Sequence, residues 1–257
     1  MGVVNFNGVS TNSKRFSAPI LVETPPDYVF PSRDANFTHV PGRDGDVLVD
    51  NGSYNNVTRT YNLAIGDEDI DYARLAYELS DWLHSANGYA KLTDSYDPEH
   101  YCMAAFIDEG SIVNILQHAG RISVSFNCKP QRYLISGDDK ITLSTSGSTI
   151  YNPTIFNSKP LIKITGSGTF SNDFVMLNSD QIININGTTG PIYVDSELMD
   201  CYSINNPTPT TRVIVNKNGY ISFGSNNKFP VIEKGLTQFV WTSGITSVEV
   251  IPRWWTI

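Results

Sequence analysis

The chain has 257 residues, 40% of them hydrophobic and 11% aromatic, with 18 Lys and Arg against 26 Asp and Glu and a formal net charge of −8. That is enough apolar side chain for one large or two ordinary domains, and it excludes intrinsic disorder. The acidic balance excludes a protein that binds nucleic acid by neutralising phosphates, which needs clustered Lys and Arg.

Over the first 65 residues, short apolar runs alternate with turn residues, the texture of strands and loops. Pro41-Gly42-Arg43-Asp44-Gly45 and Asp50-Asn51-Gly52 are two turn signals around one apolar run, which predicts a protruding hairpin over 41–52. One helix is expected from about Glu68 to Asn87. Asp67, Glu68, Asp69 and Asp71 suit the positive end of its dipole, Asn87-Gly88 offers a left-handed stop, and Tyr72, Leu75, Ala76, Leu79, Trp82, Leu83 and Ala86 form one apolar face. Segments 89–92, 101–107 and 121–126 then read as strands of an antiparallel sheet. A Ser- and Gly-rich stretch over 133–150 marks a boundary, giving domains 1–135 and 136–257. Beyond it come strands at 161–164, 181–185, 192–194, 212–215, 220–223, 239–241 and 247–251, the spacing of a β-sandwich with no helix. Residues 1–133 carry 17 acidic and 10 basic side chains and residues 134–257 carry 9 and 8, so the acidity belongs to the first domain.

Few residues suggest chemistry. Cys102, Cys128 and Cys201 lack a CxxC pair and a zinc-completing histidine, and read as free buried thiols of a reducing compartment. The N-terminus has no basic segment followed by an apolar stretch, and no apolar run approaches the roughly 20 residues of a membrane span. Gly166-Ser167-Gly168 lacks the third glycine and the helix start of a dinucleotide site. Asp94, Asp97 and Glu99, or Asp195 with Glu197, could in principle flank a glycosidic bond, but Asp97-Pro98 reads first as a turn and acids at strand ends are usually solvated. His39, His84, His100 and His118 fall in no catalytic motif, and His84 suits the negative end of the helix. Among the aromatics, Trp241, Trp254 and Trp255 are candidate exposed contacts. Adjacent side chains of a strand face opposite ways, so one of the last two should pack in a core and the other face outward.

An ordered set of motifs resembles one family. Val40-Pro41-Gly42-Arg43-Asp44-Gly45 with Asn51-Gly52-Ser53-Tyr54, Asp81-Trp82-Leu83, Tyr89-Ala90-Lys91-Leu92-Thr93-Asp94-Ser95-Tyr96-Asp97-Pro98 and Phe126-Asn127-Cys128-Lys129-Pro130 are similar to the N-terminal domain of the distal tail proteins of long-tailed, non-contractile (siphovirus-type) bacteriophages and related prophages. Asn152-Pro153-Thr154, Ser158-Lys159-Pro160-Leu161, Asp195-Ser196-Glu197 and Pro252-Arg253-Trp254-Trp255 resemble the same family's C-terminal region. The resemblance implies a mainly β protein with one amphipathic helix: an N-terminal α+β ring-forming domain followed by a C-terminal galectin-like β-sandwich. It implies a homo-hexamer in the virion tail, assembled in the bacterial host cytoplasm. The ring would join the tail tube protein to the tail-tip or tail-lysin protein and the receptor-binding or adhesion proteins, with DNA passing through unbound. No membrane, cofactor, metal or catalytic residue is needed. Gly42, Arg43, Asp44 and Gly45 are then expected near a ring interface. Beyond the resemblance, the acidity of the first domain repeated around a ring would give a negative field in the bore, the alternative being acids that face outward and serve only solubility. The sandwich has no histidine, whereas galectins that hold galactosides use a His, an Arg and an Asn beside a Trp, so it reads as a docking platform. The alternatives are a carbohydrate-binding module acting on the host surface through the tryptophans, and a cell-wall hydrolase using Asp195 and Glu197.

Overall fold

A computed structural model describes residues 2–66, 70–107, 113–116, 119–178, 181–205, 213–224 and 227–257. The chain divides into two compact units, the first running through Arg132 and including Ile257, the second from Tyr133 to Thr256. The point of division lies inside the strand Ala119–Leu134. The Ser- and Gly-rich stretch that follows belongs to the second unit, where it contains the strands Ile141–Leu143 and Ser148–Asn152.

The first unit is a curled, largely antiparallel sheet with a helix against one face. Its strands run in the spatial order Val9–Ser10, Val4–Phe6, Ala90–Asp94, His100–Ala105, Ala119–Leu134, Val57–Gly66 and Ile20–Val22, with Val113–Leu116 folded back onto the long strand. Strict alternation decides which side is core. Arg59, Tyr61, Leu63 and Ile65 point inward from one strand and Ile122, Val124, Phe126 and Cys128 from its neighbour. The helix spans Tyr72–Leu83, shorter than expected at both ends. The Asp71 carboxylate caps it, accepting the Arg74 amide at 3.1 Å. Asp67, Glu68 and Asp69 lie outside the described residues. The helix stops at His84 without a left-handed residue at Asn87 or Gly88, and the imidazole Nδ1–H of His84 closes the last turn on the Ser80 carbonyl at 3.0 Å. Leu75, Leu79, Trp82 and Leu83 are buried, and the Trp82 indole N–H is shared between the carbonyls of Phe6 and Val9 at 3.2 and 3.1 Å. A tryptophan this deep keeps its one polar atom paired.

The second unit is a two-sheet sandwich. One sheet runs Ile141–Leu143, Ile245–Ile251, Leu161–Gly166, Ile192–Asp195, Asp200–Asn205 and Val213–Asn216. The other runs Ser148–Asn152, Gly235–Trp241, Asp173–Leu177, Gln181–Ile185 and Ile221–Phe223. Ile162, Ile164, Val175, Ile183, Val194, Phe239, Val248 and Val250 fill the space between them. The two ends of the unit are stitched together. The Leu134 amide donates to the Trp254 carbonyl and the Arg253 amide to the Gly137 carbonyl, both at 2.8 Å, and the Trp254 side chain is buried in the core. A Cβ on Gly137 would run into the backbone nitrogen of Trp254. Gly137→Ala is therefore expected to push the two segments apart and destabilise the sandwich by about 1–3 kcal/mol, the usual cost of overpacking, read from the midpoint of chemical unfolding.

Candidate assembly interface

The hairpin is real, and differs in one respect from the sequence expectation. Arg33–Thr38 pairs with Val47–Tyr54 as a two-stranded sheet of its own, with Phe37 opposite Leu48, Asn36 opposite Val49 and Thr38 opposite Val47. The tip is Pro41–Gly45, where Gly42 and Gly45 take φ of +82° and +75° and the Arg43 amide donates to the Val40 carbonyl at 3.2 Å. A positive φ at both positions is the reason for glycine there. Asp50-Asn51-Gly52, read as a second turn, is instead a bulge inside the returning strand. The pairing slips between Asp34 and Ala35, and Gly52 sits at φ +74°. Four side-chain bonds pin it. Asp50 accepts the Gly52 amide and the Arg33 guanidinium, each at 2.8 Å, and Asp34 accepts the Asn51 amide at 3.0 Å and the Ser53 hydroxyl at 3.1 Å. Turn and bulge demand the same residue types, so composition could not separate them.

What the sequence did not reveal is that this ribbon is apolar and uncovered. Phe37 is 72% exposed, Leu48 53% and Val49 47%, with Phe30 at 78% in the segment that leads in. Phe37 and Leu48 share one face and Val49 lies on the other. An isolated two-stranded hairpin is marginal in water, and exposed apolar residues on both faces mark a surface that pairs with another molecule. Gly42, Arg43, Asp44 and Gly45 are all exposed at its tip. A weak pair joins His39 Nδ1 to Asp46 at 3.2 Å beside them.

The other candidates resolve into structural roles. Trp241 is 9% exposed and Trp254 4%, so the expectation of exposed aromatic contacts is corrected for both: each side chain faces the inside of the sandwich. Trp255 is half-buried, stacked on Phe156 with ring centroids 4.4 Å apart, and its indole N–H bonds the Asn157 carbonyl at 3.0 Å. Trp254 precedes the two-residue strand Trp255–Thr256, and Trp255 is half-buried rather than turned outward. Asp195 is 2% exposed and is held as the buried partner of an arginine. It takes a bidentate Arg253 at 2.7 and 2.8 Å and the amides of Glu197 and Leu198 at 3.0 and 3.1 Å. Glu197 lies 3.5 Å from the same guanidinium. Burial, with the nearby Glu197, pushes the Tyr133 phenol up to about 12.

In the first unit, Asp94 is buried beside Arg59. It accepts the Tyr61 hydroxyl at 2.7 Å, the Arg59 guanidinium at 3.5 Å, and the amides of Tyr96 and Asp97 at 2.9 and 3.0 Å. The turn read at Asp97-Pro98 is thus capped by Asp94, while Asp97 pairs with His100 at 2.8 Å. His118 lies outside the described residues.

Charge in this unit is segregated. Asp34, Asp44, Asp46 and Asp50 outnumber Arg33 and Arg43 on the hairpin, and Asp71, Glu78 and Asp81 outnumber Arg74 at the helix, whereas the open face of the sheet presents Thr58, Thr60, Asn62, Ser123, Ser125 and Asn127. The cations on that face are engaged: Lys91 lies over the Tyr101 ring at 3.7 Å, Lys129 over Tyr89 at 5.1 Å, and Arg121 is paired with Glu23.

This architecture, a curled sheet with a helix followed by a sandwich, is similar in fold to two solved phage tail structures. The Dit protein (gp 19.1) of phage SPP1, described as a paradigm of the hub adsorption apparatus in phages infecting Gram-positive bacteria, matches with a TM-score of 0.69 at 13% identity over 97% of each chain. A chain of the phage p2 baseplate in its activated, strontium-bound conformation matches with a TM-score of 0.55 at 10% identity, over 97% of this chain and 96% of that one. No family model and no curated protein matches the sequence.

Proposed function

We propose that this chain is a structural hub of a phage tail. In this reading the first unit closes head to tail into a homo-hexameric ring that joins the tail tube to the tip or tail-lysin protein and its adhesion proteins, and the second unit is a docking platform. The observation that carries it is the match of both units, in order and over nearly the whole chain, to the SPP1 Dit hub. The uncovered hairpin supplies what a head-to-tail ring needs, a projecting patch whose complement lies elsewhere on the next copy. Passage of DNA without binding fits the charge pattern. The hairpin and helix are acidic, and among the described residues the open sheet face offers hydroxyls and amides with its cations already engaged, so neither surface gives phosphates a cationic track.

The test is solution mass by light scattering on the full chain and on Phe37→Asp/Leu48→Asp. The parent is expected near six times 28.5 kDa. The double variant is expected to be monomeric with an unchanged melting temperature, since exposed substitutions usually cost within about 0.5 kcal/mol. A parent that stays monomeric at high concentration, or a variant that assembles as well as the parent, would overturn the ring reading of the hairpin.

A further inference from the structure

Five Asn-Gly pairs occur in the chain: Asn7-Gly8, Asn51-Gly52, Asn87-Gly88, Asn186-Gly187 and Asn218-Gly219. Glycine leaves its own amide nitrogen unhindered, so in each pair that nitrogen can reach the carboxamide carbon of the preceding asparagine, provided both groups are free to turn. The fold denies that freedom to four of the five. Asn7 and Gly8 form the tight turn between Val4–Phe6 and Val9–Ser10, at φ +51° and +79°, and the Asn7 carboxamide donates to the Ser85 carbonyl and hydroxyl at 3.3 and 3.2 Å. The Asn51 carboxamide is held by Asp34, and the Gly52 amide donates to Asp50. The Gly187 amide donates to the Phe170 carbonyl at 2.9 Å, and the Asn186 side-chain oxygen accepts the Asn172 amide at 3.2 Å. Asn218 is fixed at both ends of its carboxamide, by the Cys201 amide and by Asp200, each at 2.8 Å. Asn87-Gly88 is the exception. The pair lies in the bend between the helix and the strand Ala90–Asp94, both residues are exposed, and neither takes the positive φ of the expected helix stop. Among the described residues, neither the Asn87 carboxamide nor the Gly88 amide has a hydrogen-bond partner. A Cβ placed on Gly88 would meet nothing within 4 Å.

We propose that Asn87 is a site of spontaneous deamidation in the folded protein. Hydroxide takes the Gly88 amide proton, and the nitrogen bonds to the side-chain carbonyl carbon of Asn87. The carboxamide C–N bond then breaks, and ammonia leaves with a proton from water, which restores the hydroxide. A second water opens the resulting cyclic imide at one of its two carbonyls. One opening gives aspartate, and the other gives isoaspartate, in which the backbone runs through the former side chain. Nothing is oxidised or reduced: one water is consumed and one ammonia released. The product places a new carboxylate between the helix and Ala90–Asp94, on the unit that already carries most of the chain's acidity. The chemistry depends on the freedom of this one bend and stands whether or not the tail-hub reading does.

The experiment ages the native full chain in warm, mildly alkaline buffer beside the same chain in urea, and compares tryptic maps with a zero-time sample. Trypsin places the five pairs on five different peptides, and enzymatic methylation of isoaspartate marks the product. In the native protein the Asn87 peptide is expected to convert at least tenfold faster than any of the other four, roughly the cost of first breaking the hydrogen bonds that hold those pairs. In urea the five rates should converge. Gly88→Ala, for which the bend has room, should keep the parent's melting temperature and slow Asn87 by about tenfold, because a Cβ crowds the ring closure. Asn87→Gln should remove the fast event, since its longer side chain would have to close a larger ring. A native Asn87 that reacts no faster than the other four, a Gly88→Ala chain that deamidates at the parent's rate, or conversion to aspartate with no isoaspartate would each overturn the proposal. Peptide chemistry is the readout rather than assembly, so failure here and failure of the hub reading are separable.

Discussion

Asp94→Ala is expected to be the most damaging single substitution in the first unit, costing about 3–5 kcal/mol, because it strips the anion from a buried arginine rather than merely removing a contact. Arg59 is 8% exposed and Asp94 6%. With the carboxylate gone, the guanidinium keeps its desolvation cost and loses its counter-charge. The same change orphans the Tyr61 hydroxyl and the amides of Tyr96 and Asp97. Burial and the charge of Asp94 push the Tyr61 phenol up, so it remains a donor throughout the useful pH range. Asp94→Asn retains an acceptor for the turn but not the charge, and should fall between the parent and the alanine variant. Equilibrium denaturation read at Trp82, the tryptophan of this unit, would show the shift, while Trp241, Trp254 and Trp255 report the second unit separately.

Arg253→Ala is expected to lower the stability of the second unit by a similar amount, about 3–5 kcal/mol, since it leaves Asp195 ionised and 2% exposed. The pair also makes this unit acid-sensitive. Burial alone would raise the Asp195 carboxyl, but the Arg253 hydrogen bonds, the Leu198 amide, the Arg253 charge and the Glu197 amide together outweigh it and hold the group below the ordinary carboxylate range. A carboxylate depressed in the folded state contributes stability that is fully present above its unfolded value, near pH 4. That stability is lost as pH falls through the folded value. The parent's second transition should therefore weaken steeply below pH 4. Asp195→Asn should be less stable at pH 7 and should show a flatter acid limb. Equal pH slopes for the two proteins would refute this assignment.

How much of this was legible in the sequence depends on how far each feature is local. The helix was legible because Leu75, Leu79, Trp82 and Leu83 repeat at helical spacing, but its end was not, since the closing bond comes from His84 to its own last turn rather than from a glycine. Strands with two or more apolar inward residues, such as Gln181–Ile185, stood out; Ser148–Asn152 did not, because its inward residues are Ile150 and a buried asparagine. That Asn152 amide spans the carbonyls of Phe156 and Ile232, 80 residues away, at 2.9 and 3.2 Å, a pairing no local pattern announces. Of the candidate site, the glycines at the hairpin tip could be read from turn chemistry. Phe37 and Leu48 could not, because apolar residues in a strand look alike whether they face a core or solvent. The buried partners of Asp94 and Asp195 are non-local too, arriving from 35 and 58 residues away.

The stitching of residues 134–137 to residues 253–254 also bears on biosynthesis. The second unit receives the core side chain of Trp254 and the guanidinium that neutralises Asp195 from a stretch translated some 120 residues after the strand it closes upon. Until that stretch clears the ribosome, the nascent sandwich exposes a gap in its interior and a carboxylate without its cation, whereas every core residue of the first unit has already emerged. Folding during translation is thereby ordered, with the core residues of the first unit all in place while the second still waits for residues 253–254.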